Sequence, residues 1–325
     1  MSDLESLAQS LRAHPNVAEK LRIASAYGPA LAVAGNIEIG DDAAAIPDGD
    51  GFMLFAAEGM MESFIELDPW FAGYCAVMVN LSDIAAMGGS PSAIVDVLWT
   101  HPDSVIATDL WEGMRAASEA YGVPIVGGHT TRFPYERTPL LAAAVLGKAQ
   151  NLITSFDAAP GHDLLMAVDL RGAYRGEGTV FWNASVGSPP ERLRGDLRLL
   201  KQLADQKLVT AGKDISNGGV PGTLAMLLAT SGCGAIVDLD ALPRPPDVDL
   251  KHWLLSFPSY GYLLTAKPDN TDAVKALFAQ CDIACARIGT ISAGHALELE
   301  FSSKGERCVF AQVAPAKTAR PSKNR

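Results

Sequence analysis

The stretch Val79-Asn80-Leu81-Ser82-Asp83-Ile84-Ala85-Ala86-Met87-Gly88-Gly89 places an amide and a carboxylate inside an otherwise apolar run. Asp68-Pro69 lies upstream, and Asp at the N-cap followed by Pro at the first helical position is a strong helix start signal. We therefore predict a helix that begins at Pro69 and ends at Gly88-Gly89. Asn80 and Asp83 are three residues apart, so this helix would present both side chains on one face.

Three other short segments carry oxygen ligands beside glycine or alanine. They are Gly40-Asp41-Asp42-Ala43-Ala44, Gly127-Gly128-His129-Thr130 and Asp214-Ile215-Ser216-Asn217-Gly218-Gly219. Mg²⁺ keeps several waters and is suited by a few hard oxygen ligands spread over separate elements, as at nucleotide phosphates. The glycines would let backbone N–H groups approach phosphate oxygens. Hard oxygen ligands of this kind are what Mg²⁺ bridging nucleotide phosphates requires, although no single segment is decisive.

Each segment taken alone also has an ordinary structural explanation. Asp41-Asp42 is typical of a solvated turn, and Asn80 with Asp83 is typical of the polar side of an amphipathic helix. Gly127-Gly128 alone predicts a turn that follows a strand over residues 124–126. His129 alone is typical of a hydrogen-bonded loop residue, and residues 214–219 alone are typical of a helix cap. Their joint occurrence, in this order, favours the functional interpretation.

In order and spacing the segments resemble the aminoimidazole ribonucleotide (AIR) synthetase superfamily. This superfamily also holds thiamine-monophosphate kinase, selenophosphate synthetase and a hydrogenase-maturation dehydratase. The stretch from Val79 to Gly89 with Pro91, and the Gly-Asp-Asp-Ala-Ala element, are similar to the kinases. Gly127-Gly128-His129-Thr130 is more similar to selenophosphate synthetase. The resemblance covers roughly residues 36–300, and the chain most resembles the synthetase-related branch rather than a named member.

The resemblance implies a two-domain α+β or α/β fold. Residues 1–152 would form an ATP- and Mg²⁺-binding domain, with a mixed sheet that has helices on one face and pairs with a second copy. Residues 153–313 would form a C-terminal α/β domain, and residues 314–325 a disordered tail. The segment from Asn151 to Gly161, with Pro160-Gly161, independently indicates the boundary.

The resemblance also implies roles for individual residues. The implied Mg²⁺ ligands are Asp41, Asp42, Glu58, Asp83 and Asp214. The implied catalytic residues are Asp83 and His129, and the implied nucleotide-binding residues are Asn80, Gly127, Gly128 and Thr130. Three arginines are candidate partners of an anionic small-molecule substrate, because the guanidinium fork suits carboxylate or phosphate. They are Arg132, Arg171 and Arg175.

The chain departs from the family pattern at several positions. Ala56-Ala57-Glu58 stands where the kinases carry Thr-Thr-Asp, and Asn217 replaces the second acid of the Asp-Ile-Ser-Asp-Gly element. Residues 24–36 contain neither Cys nor Lys, and the chain lacks a C-terminal Cys, which disfavours the selenophosphate and hydrogenase-maturation activities. We expect ATP- and Mg²⁺-dependent phosphoryl transfer to, or phosphate activation of, a small metabolite. The alternative is a nucleotide-binding regulatory or scaffold protein without turnover.

Composition bounds the class of protein. The chain has 325 residues, 48% hydrophobic and 19% charged, which is enough for two packed domains. A formal net charge of −11 disfavours nucleic acid as a partner, since nucleic-acid binding needs a basic surface. No signal peptide or membrane-length apolar run is present, so we expect a cytoplasmic protein without a membrane partner. The five scattered cysteines predict reduced thiols and no zinc site.

The sequence also gives some support for the homodimer. The helix that starts at Pro69 is apolar around most of its circumference, more than one core-facing stripe requires. The stretch over residues 140–146 is apolar without alternation, so both faces of that strand should be covered. One layer of helices covers only one face of a sheet, so we predict that a second copy covers the other.

Overall fold

The computed structural model describes residues 2–22, 39–101 and 103–316. The chain divides into two compact units. The first unit consists of Asp42–Leu152 and Gly187–Asp205, and the second of Met1–Asp41, Ile153–Val186 and Gln206–Arg325. Residues 1–41 thus group with the second unit rather than with the sheet that follows them, and 187–205 group with the first. The Gly/Ala-rich segment 24–36 and residues 317–325 of the predicted tail lie outside the described residues.

Helices and strands alternate along much of the chain. The helices are α1 (Asp3–Arg12), α2 (Pro15–Arg22), α3 (Glu62–Leu67), α4 (Pro69–Ala86), α5 (Val105–Tyr121), α6 (Pro190–Asp205), α7 (Gly219–Ser231), α8 (Leu250–Leu255) and α9 (Thr271–Ala279). The strands are β1 (Ala44–Asp48), β2 (Gly51–Gly59), β3 (Ser90–Thr100), β4 (Ile125–Arg132), β5 (Leu140–Ala149), β6 (Asp163–Val168), β7 (Ala173–Tyr174), β8 (Phe181–Asn183), β9 (Ala211–Asp214), β10 (Gly234–Asp238), β11 (Phe257–Pro258), β12 (Gly261–Ala266), β13 (Ala284–Ser292), β14 (Ala296–Phe301) and β15 (Glu306–Gln312). No helix in the described part of the chain has the length and apolarity needed to cross a membrane.

The first unit is built on a five-stranded sheet with the order β1-β2-β5-β3-β4. Strands β3 and β4 run parallel, whereas the other neighbours pair antiparallel. Helix α4 packs on one face of this sheet, against β2, β5 and β3, and α5 and α6 pack on α4. The predicted mixed sheet with helices on one face is confirmed.

Helix α4 begins and ends where the sequence predicts. The Asp68 carboxylate accepts a hydrogen bond from Phe71 N at 3.0 Å, and Pro69 occupies the first turn. Met87 caps the C-terminal end, and Gly88 follows with φ of 75°, a left-handed conformation that glycine adopts without steric cost. The helix is buried around nearly its whole circumference by the sheet, α5 and α6. Its apolar circumference is therefore explained within the chain and does not itself require a second copy.

Two glycines let α4 and α5 cross with their backbones in contact. A Cβ built on Gly113 of α5 would overlap the carbonyl oxygen of Trp70, and one on Gly73 of α4 would overlap that of Leu110. Both obstacles are main-chain atoms, which cannot rotate away as the end of a side chain can. The close crossing therefore depends on glycine at both positions.

We predict that Gly113→Ala lowers the free energy of unfolding by about 3 kcal/mol, because the added methyl group overpacks the crossing. Gly195→Ala in α6 is the matched control, since a Cβ there meets only the end of Arg198 at 4.0 Å. The control should stabilise the protein by roughly 0.5 to 1 kcal/mol, the usual gain of Ala over Gly in a helix. Urea unfolding midpoints measure both, and equal midpoints for the two variants would contradict the backbone crossing.

The face of the sheet turned away from α4 is apolar and open. Phe55 is 48% exposed, Val95 40% and Leu146 38%. Phe55 lies directly opposite Leu146 on the neighbouring strand, and Val95 lies opposite Ala144. Directly paired residues point to the same face, so these side chains form one continuous surface. Among the described residues of the first unit, α4 packs on the opposite face of this sheet.

The second unit contains a seven-stranded sheet with the order β15-β14-β10-β13-β6-β12-β9, and a small sheet of β11, β8 and β7. Every residue of β6 is buried. Helix α1 packs against β14 and β15, and α2 packs against α7. Residues of α1 and α2, including Leu4, Leu11 and Val17, belong to the core of this unit, which explains why the N-terminal helices group with it.

All five cysteines are free thiols. Burial raises the pKa of Cys233 to about 11 and that of Cys285 to about 12. A thiol acts as a nucleophile through its thiolate form, which a raised pKa disfavours. These two side chains are therefore packing residues of the second unit.

Candidate metal and nucleotide site

Helix α4 carries Asn80 and Asp83 on its buried face. Asn80 is fully buried, and its Nδ2 donates to the carbonyl oxygens of Ala76 at 2.8 Å and Ala143 at 3.3 Å. Its Oδ1 is buried and accepts no hydrogen bond from the residues that the structure describes. A buried acceptor without a donor costs free energy, and a bound ligand or cation can offset that cost. Asn80 therefore offers an oxygen to such a group.

Asp42 approaches Asp83 from the start of β1. The next residue, Ala43, donates its backbone N–H to Met87 Sδ at 3.1 Å, which holds this segment against the end of α4. Carboxylate oxygens of Asp42 and Asp83 lie within 4.8 Å of one another, and Asp83 is only 7% exposed. Two carboxylates this close repel unless a cation or a proton is shared between them. The Asn80 oxygen lies on the same helix, and oxygens of these types are the hard ligands that Mg²⁺ binds.

Asp41 belongs to the second unit, unlike its neighbour Asp42. Its Oδ2 accepts from the backbone N–H of Ser155 at 2.8 Å, and its Oδ1 lies 3.9 Å from Lys213 Nζ. Lys213 is only 3% exposed, so the pair is shielded from solvent. Asp41 was predicted as a metal ligand, and the structure gives it a lysine partner. Sequence reasoning missed Lys213, although a Lys directly before Asp214 in a short apolar strand was a visible signal.

We predict that Lys213→Met destabilises the protein by about 3 kcal/mol, because it leaves the Asp41 carboxylate buried without its cation. Adding Asp41→Asn should restore about half of that loss, since the amide oxygen can still accept from Ser155 N. The control is Lys201→Met, which removes the half-exposed Lys201–Asp205 pair on α6 and should cost less than about 1 kcal/mol. Urea unfolding midpoints measure the stability of each variant. Strictly additive effects of Lys213→Met and Asp41→Asn would contradict a buried pair of these two side chains.

Glu58 lies near the end of β2, on the face of the sheet that α4 covers. It is in register with Ala143, whose carbonyl oxygen accepts from Asn80. On the other side of Ala143 the register continues to Asp96 on β3. The structure therefore places Glu58 and Asp96 on the same face as the Asn80 side chain, on either side of a small residue.

Gly127 and Gly128 do not form the predicted turn. Strand β4 continues through them to Arg132, because both residues pair in parallel with β3, at Val95 and Asp96. A Cβ on Gly128 would overlap Asp96 Oδ1, so the absence of a side chain at 128 makes room for this carboxylate. Asp96 was not predicted as a site residue. Burial raises its pKa above the ordinary value of a carboxyl group.

His129 and Thr130 lie on opposite faces of β4. His129 is in register with Val97, and Thr130 with Leu98. The side chain of His129 therefore shares the open face with Val95, whereas Thr130 shares the α4 face with Asp96. The structure does not bring His129 to the side of the sheet where Asp83 lies. Its predicted catalytic role remains a sequence-based prediction.

The remaining predicted residues are divided between the units. Asp214 ends β9 in the second unit, opposite Tyr262 of β12. Arg171 donates from Nε and Nη2 to the buried Asp169 carboxylate, at 2.8 and 3.2 Å. Arg175 follows β7, and its backbone N–H donates to Phe181 O at 2.9 Å. Arg132 is the exposed last residue of β4 in the first unit. Of these three arginines, Arg171 has the carboxylate of its own segment as a partner.

Comparison with known proteins identifies the family. Residues 40–149 match the N-terminal domain of AIR synthase related proteins, and residues 184–302 match the C-terminal domain. The chain belongs to the AIR synthase-related superfamily. An uncharacterized protein of Synechocystis sp. is 49% identical over 271 residues, which cover 83% of each chain.

Two solved structures share the AIR synthase-related fold. T. maritima PurL complexed with ATP has a TM-score of 0.74 and 19% identity, over 97% of this chain and 53% of PurL. This chain thus spans about half the length of PurL. AaThiL complexed with AMPPCP and TMP has a TM-score of 0.62 and 18% identity, over 82% of this chain and 88% of AaThiL.

The matched AIR synthase-related regions contain all the predicted metal ligands. Asp41, Asp42, Glu58 and Asp83 lie in the first region, and Asp214 lies in the second. Helices α1 and α2, which end at Arg22, lie outside both.

Proposed function

We propose that this protein is an ATP- and Mg²⁺-dependent enzyme that phosphorylates a small metabolite or activates its oxygen as a phosphate ester. The observation that carries the proposal is the pair of carboxylates of Asp42 and Asp83, within 4.8 Å of one another on the buried side of α4. An unpartnered Asn80 oxygen on the same helix adds a third donor. The ATP and AMPPCP complexes of PurL and AaThiL support a nucleotide for this fold.

Each of these residues has a physical role in the proposed reaction. Asp42 and Asp83 would hold Mg²⁺, and Asn80 would orient a phosphate oxygen or a metal-bound water. Mg²⁺ with ATP supplies a phosphoryl group whose negative charge is neutralised for transfer. Asn80 and Asp83 are buried in apolar surroundings. Such surroundings would strengthen the electrostatic interactions of these two side chains with Mg²⁺ and the phosphates, and would exclude water that competes with the acceptor.

Arginines would supply the binding of an anionic acceptor. Arg132 is exposed at the end of β4, on the same strand as Thr130, and Arg175 follows β7 in the second unit. Arg171 keeps the Asp169 carboxylate as a partner at hydrogen-bond distance, and an anionic acceptor would have to compete with that carboxylate.

We expect ATP with Mg²⁺ to raise the melting temperature, because a ligand that binds only the native state stabilises it by about 2.7 kcal/mol at ~100 times its Kd. ATP with a chelator should do much less, since the carboxylates would face the triphosphate without a cation. Asp83→Asn and Asp42→Asn should remove the Mg²⁺-dependent part of the shift, whereas Asp48→Asn, on the exposed end of β1, should leave it intact.

Differential scanning fluorimetry measures these shifts, and release of ADP measures turnover with candidate metabolites. Equal shifts with and without Mg²⁺ would contradict the metal-bridged site. Mg²⁺-dependent binding without ADP release from any acceptor would favour the alternative, a nucleotide-binding regulatory or scaffold protein. The change from Asp to Glu58 supports that alternative.

We also propose that the protein is a homodimer joined through the open sheet face of the first unit. The exposed apolar side chains of Phe55, Val95 and Leu146 form a continuous surface on neighbouring strands. Surfaces of this kind on a soluble protein mark an interaction site. A two-fold contact would bury the same residues of both copies, and an obligate contact would bury about 2,000 Å² or more.

Light scattering at micromolar concentration should give twice the chain mass of 34.3 kDa. Phe55→Glu should give the mass of one chain, because the dimer would bury a charge without a partner. Val105→Glu is the control: Val105 is 73% exposed at the start of α5, and a charge there should leave the dimer intact. A wild-type mass of 34.3 kDa would overturn the dimer.

A further inference from the structure

The N-terminal helices α1 and α2 lie outside the regions that match the AIR synthase-related family, yet they are firmly anchored. Leu4 and Leu11 of α1 are buried in the core of the second unit. Arg12, the last residue of α1, donates from Nη1 to Phe310 O at 3.0 Å and to Val309 O at 3.2 Å, on β15. Helices α1 and α2 are therefore integral parts of this unit and can hold the segments that they contact in place.

Helix α2 packs against the N-terminal end of α7. Gly218 is the N-cap of α7, with φ of 96°. A Cβ on Gly218 would lie 3.2 Å from Lys20 Cγ and 3.2 Å from Asn16 O. A Cβ on Gly222 would likewise lie 3.2 Å from Lys20 Cγ. The two glycines let α2 lie directly against the turn that precedes α7.

One side-chain hydrogen bond joins α2 to this turn. Asn16 Nδ2 donates to Asn217 Oδ1 at 2.6 Å, in a partly buried setting. Asn217 stands where the family resemblance leads us to expect an acid. The amide at this position thus has a definite contact within the chain, with a residue that lies outside the matched regions.

The turn that contains Asn217 leads directly from Asp214 to α7. Ile215 N donates to Gly261 O at 2.9 Å, and Gly219 N donates to Ser216 O at 2.9 Å. Ser216 N donates to Thr223 Oγ1 of α7 at 3.3 Å. The hydrogen bond from Asn16 therefore restrains Asn217, in the middle of this turn, from a helix that lies outside the turn.

We propose that Asn16 is a positioning residue: through Asn217 it fixes the turn that follows Asp214 and so fixes the direction of the Asp214 carboxylate. This inference rests on the proposed function and on the sequence-based prediction that Asp214 is a metal ligand. In this role Asn16 would act through Asn217 and not by direct contact with ATP or Mg²⁺. Its loss should weaken Mg²⁺-dependent nucleotide binding and leave Mg²⁺-independent binding unchanged.

The chemistry of two facing amides provides a specific test. An amide can donate or accept, so each partner can be changed to an acid singly without loss of the hydrogen bond. In Asn16→Asp the amide of Asn217 rotates and donates its N–H to the new carboxylate. In Asn217→Asp the amide of Asn16 still donates. Only the double variant places two acceptors opposite each other, and there the bond is lost and the charges repel.

The experiment measures the Kd of AMPPCP by calorimetry, with Mg²⁺ and with EDTA, together with the melting temperature of each variant. We expect Asn16→Ala to weaken binding with Mg²⁺ by about threefold to tenfold, the range of one hydrogen bond. We expect Asn16→Asp to bind as the wild type does. The double variant should bind less tightly than Asn217→Asp alone by a similar factor. Glu19→Gln, on the exposed side of α2, is the control and should match the wild type.

The outcomes separate the inference from the proposed function. If the wild type shows no Mg²⁺-dependent binding of AMPPCP, the proposed function fails and the role of Asn16 fails with it. If the wild type binds and Asn16→Ala binds equally well, only the inference is overturned. If Asn16→Ala does not fold, the two single acids and their combination still decide. Independent, additive effects of those acids would overturn the hydrogen bond as a positioning contact.

Discussion

The first unit depends on α4 being buried with a carboxylate and an amide on it. Removing a carboxylate from water costs several kcal/mol unless a cation or hydrogen bonds compensate. The structure brings a second carboxylate, Asp42, to within 4.8 Å of Asp83, which adds repulsion between the two. A divalent cation would offset both the burial and the repulsion. The apolar packing of α4 against the sheet, α5 and α6 thus fixes where the candidate site lies. It also sets how much negative charge has to be compensated there.

Local signals made α4 predictable, whereas the continuation of β4 through Gly127 and Gly128 was not. Asp68-Pro69 and Gly88 mark the ends of α4 within the sequence itself, and the structure follows them. Consecutive glycines within a strand usually weaken it, so Gly127 and Gly128 favoured a turn. The reason for Gly128 is the Asp96 carboxylate on the neighbouring strand, a contact between residues far apart in the sequence. Such a contact leaves no pattern in the sequence around Gly128 from which it could be predicted.

The same limit applies to the faces of the sheet. The apolar stretch over 140–146 correctly indicated a strand with two apolar faces, but not which element covers each. One face lies under α4, and the other includes the exposed Leu146. The apolar circumference of α4 favours a second copy in the sequence alone, because the positions of α5 and α6 cannot be read from it. Two glycines, Gly73 and Gly113, allow that close packing, and their role becomes visible only where the helices cross.

The acidic residues predicted for the candidate site also differ in their surroundings, in a way that the sequence did not show. Asp41 and Asp42 are adjacent, yet Asp41 lies beside the buried Lys213 while Asp42 approaches Asp83. Position 217 carries a neutral amide that is bonded to Asn16. Each carboxylate that faces a triphosphate adds repulsion, so a lysine beside Asp41 and an amide at 217 both lower the negative charge that a nucleotide would meet. In the second unit this leaves Asp214 as the acid of its segment, and the amide at 217, a departure from the family pattern, would be compatible with a polyanionic ligand.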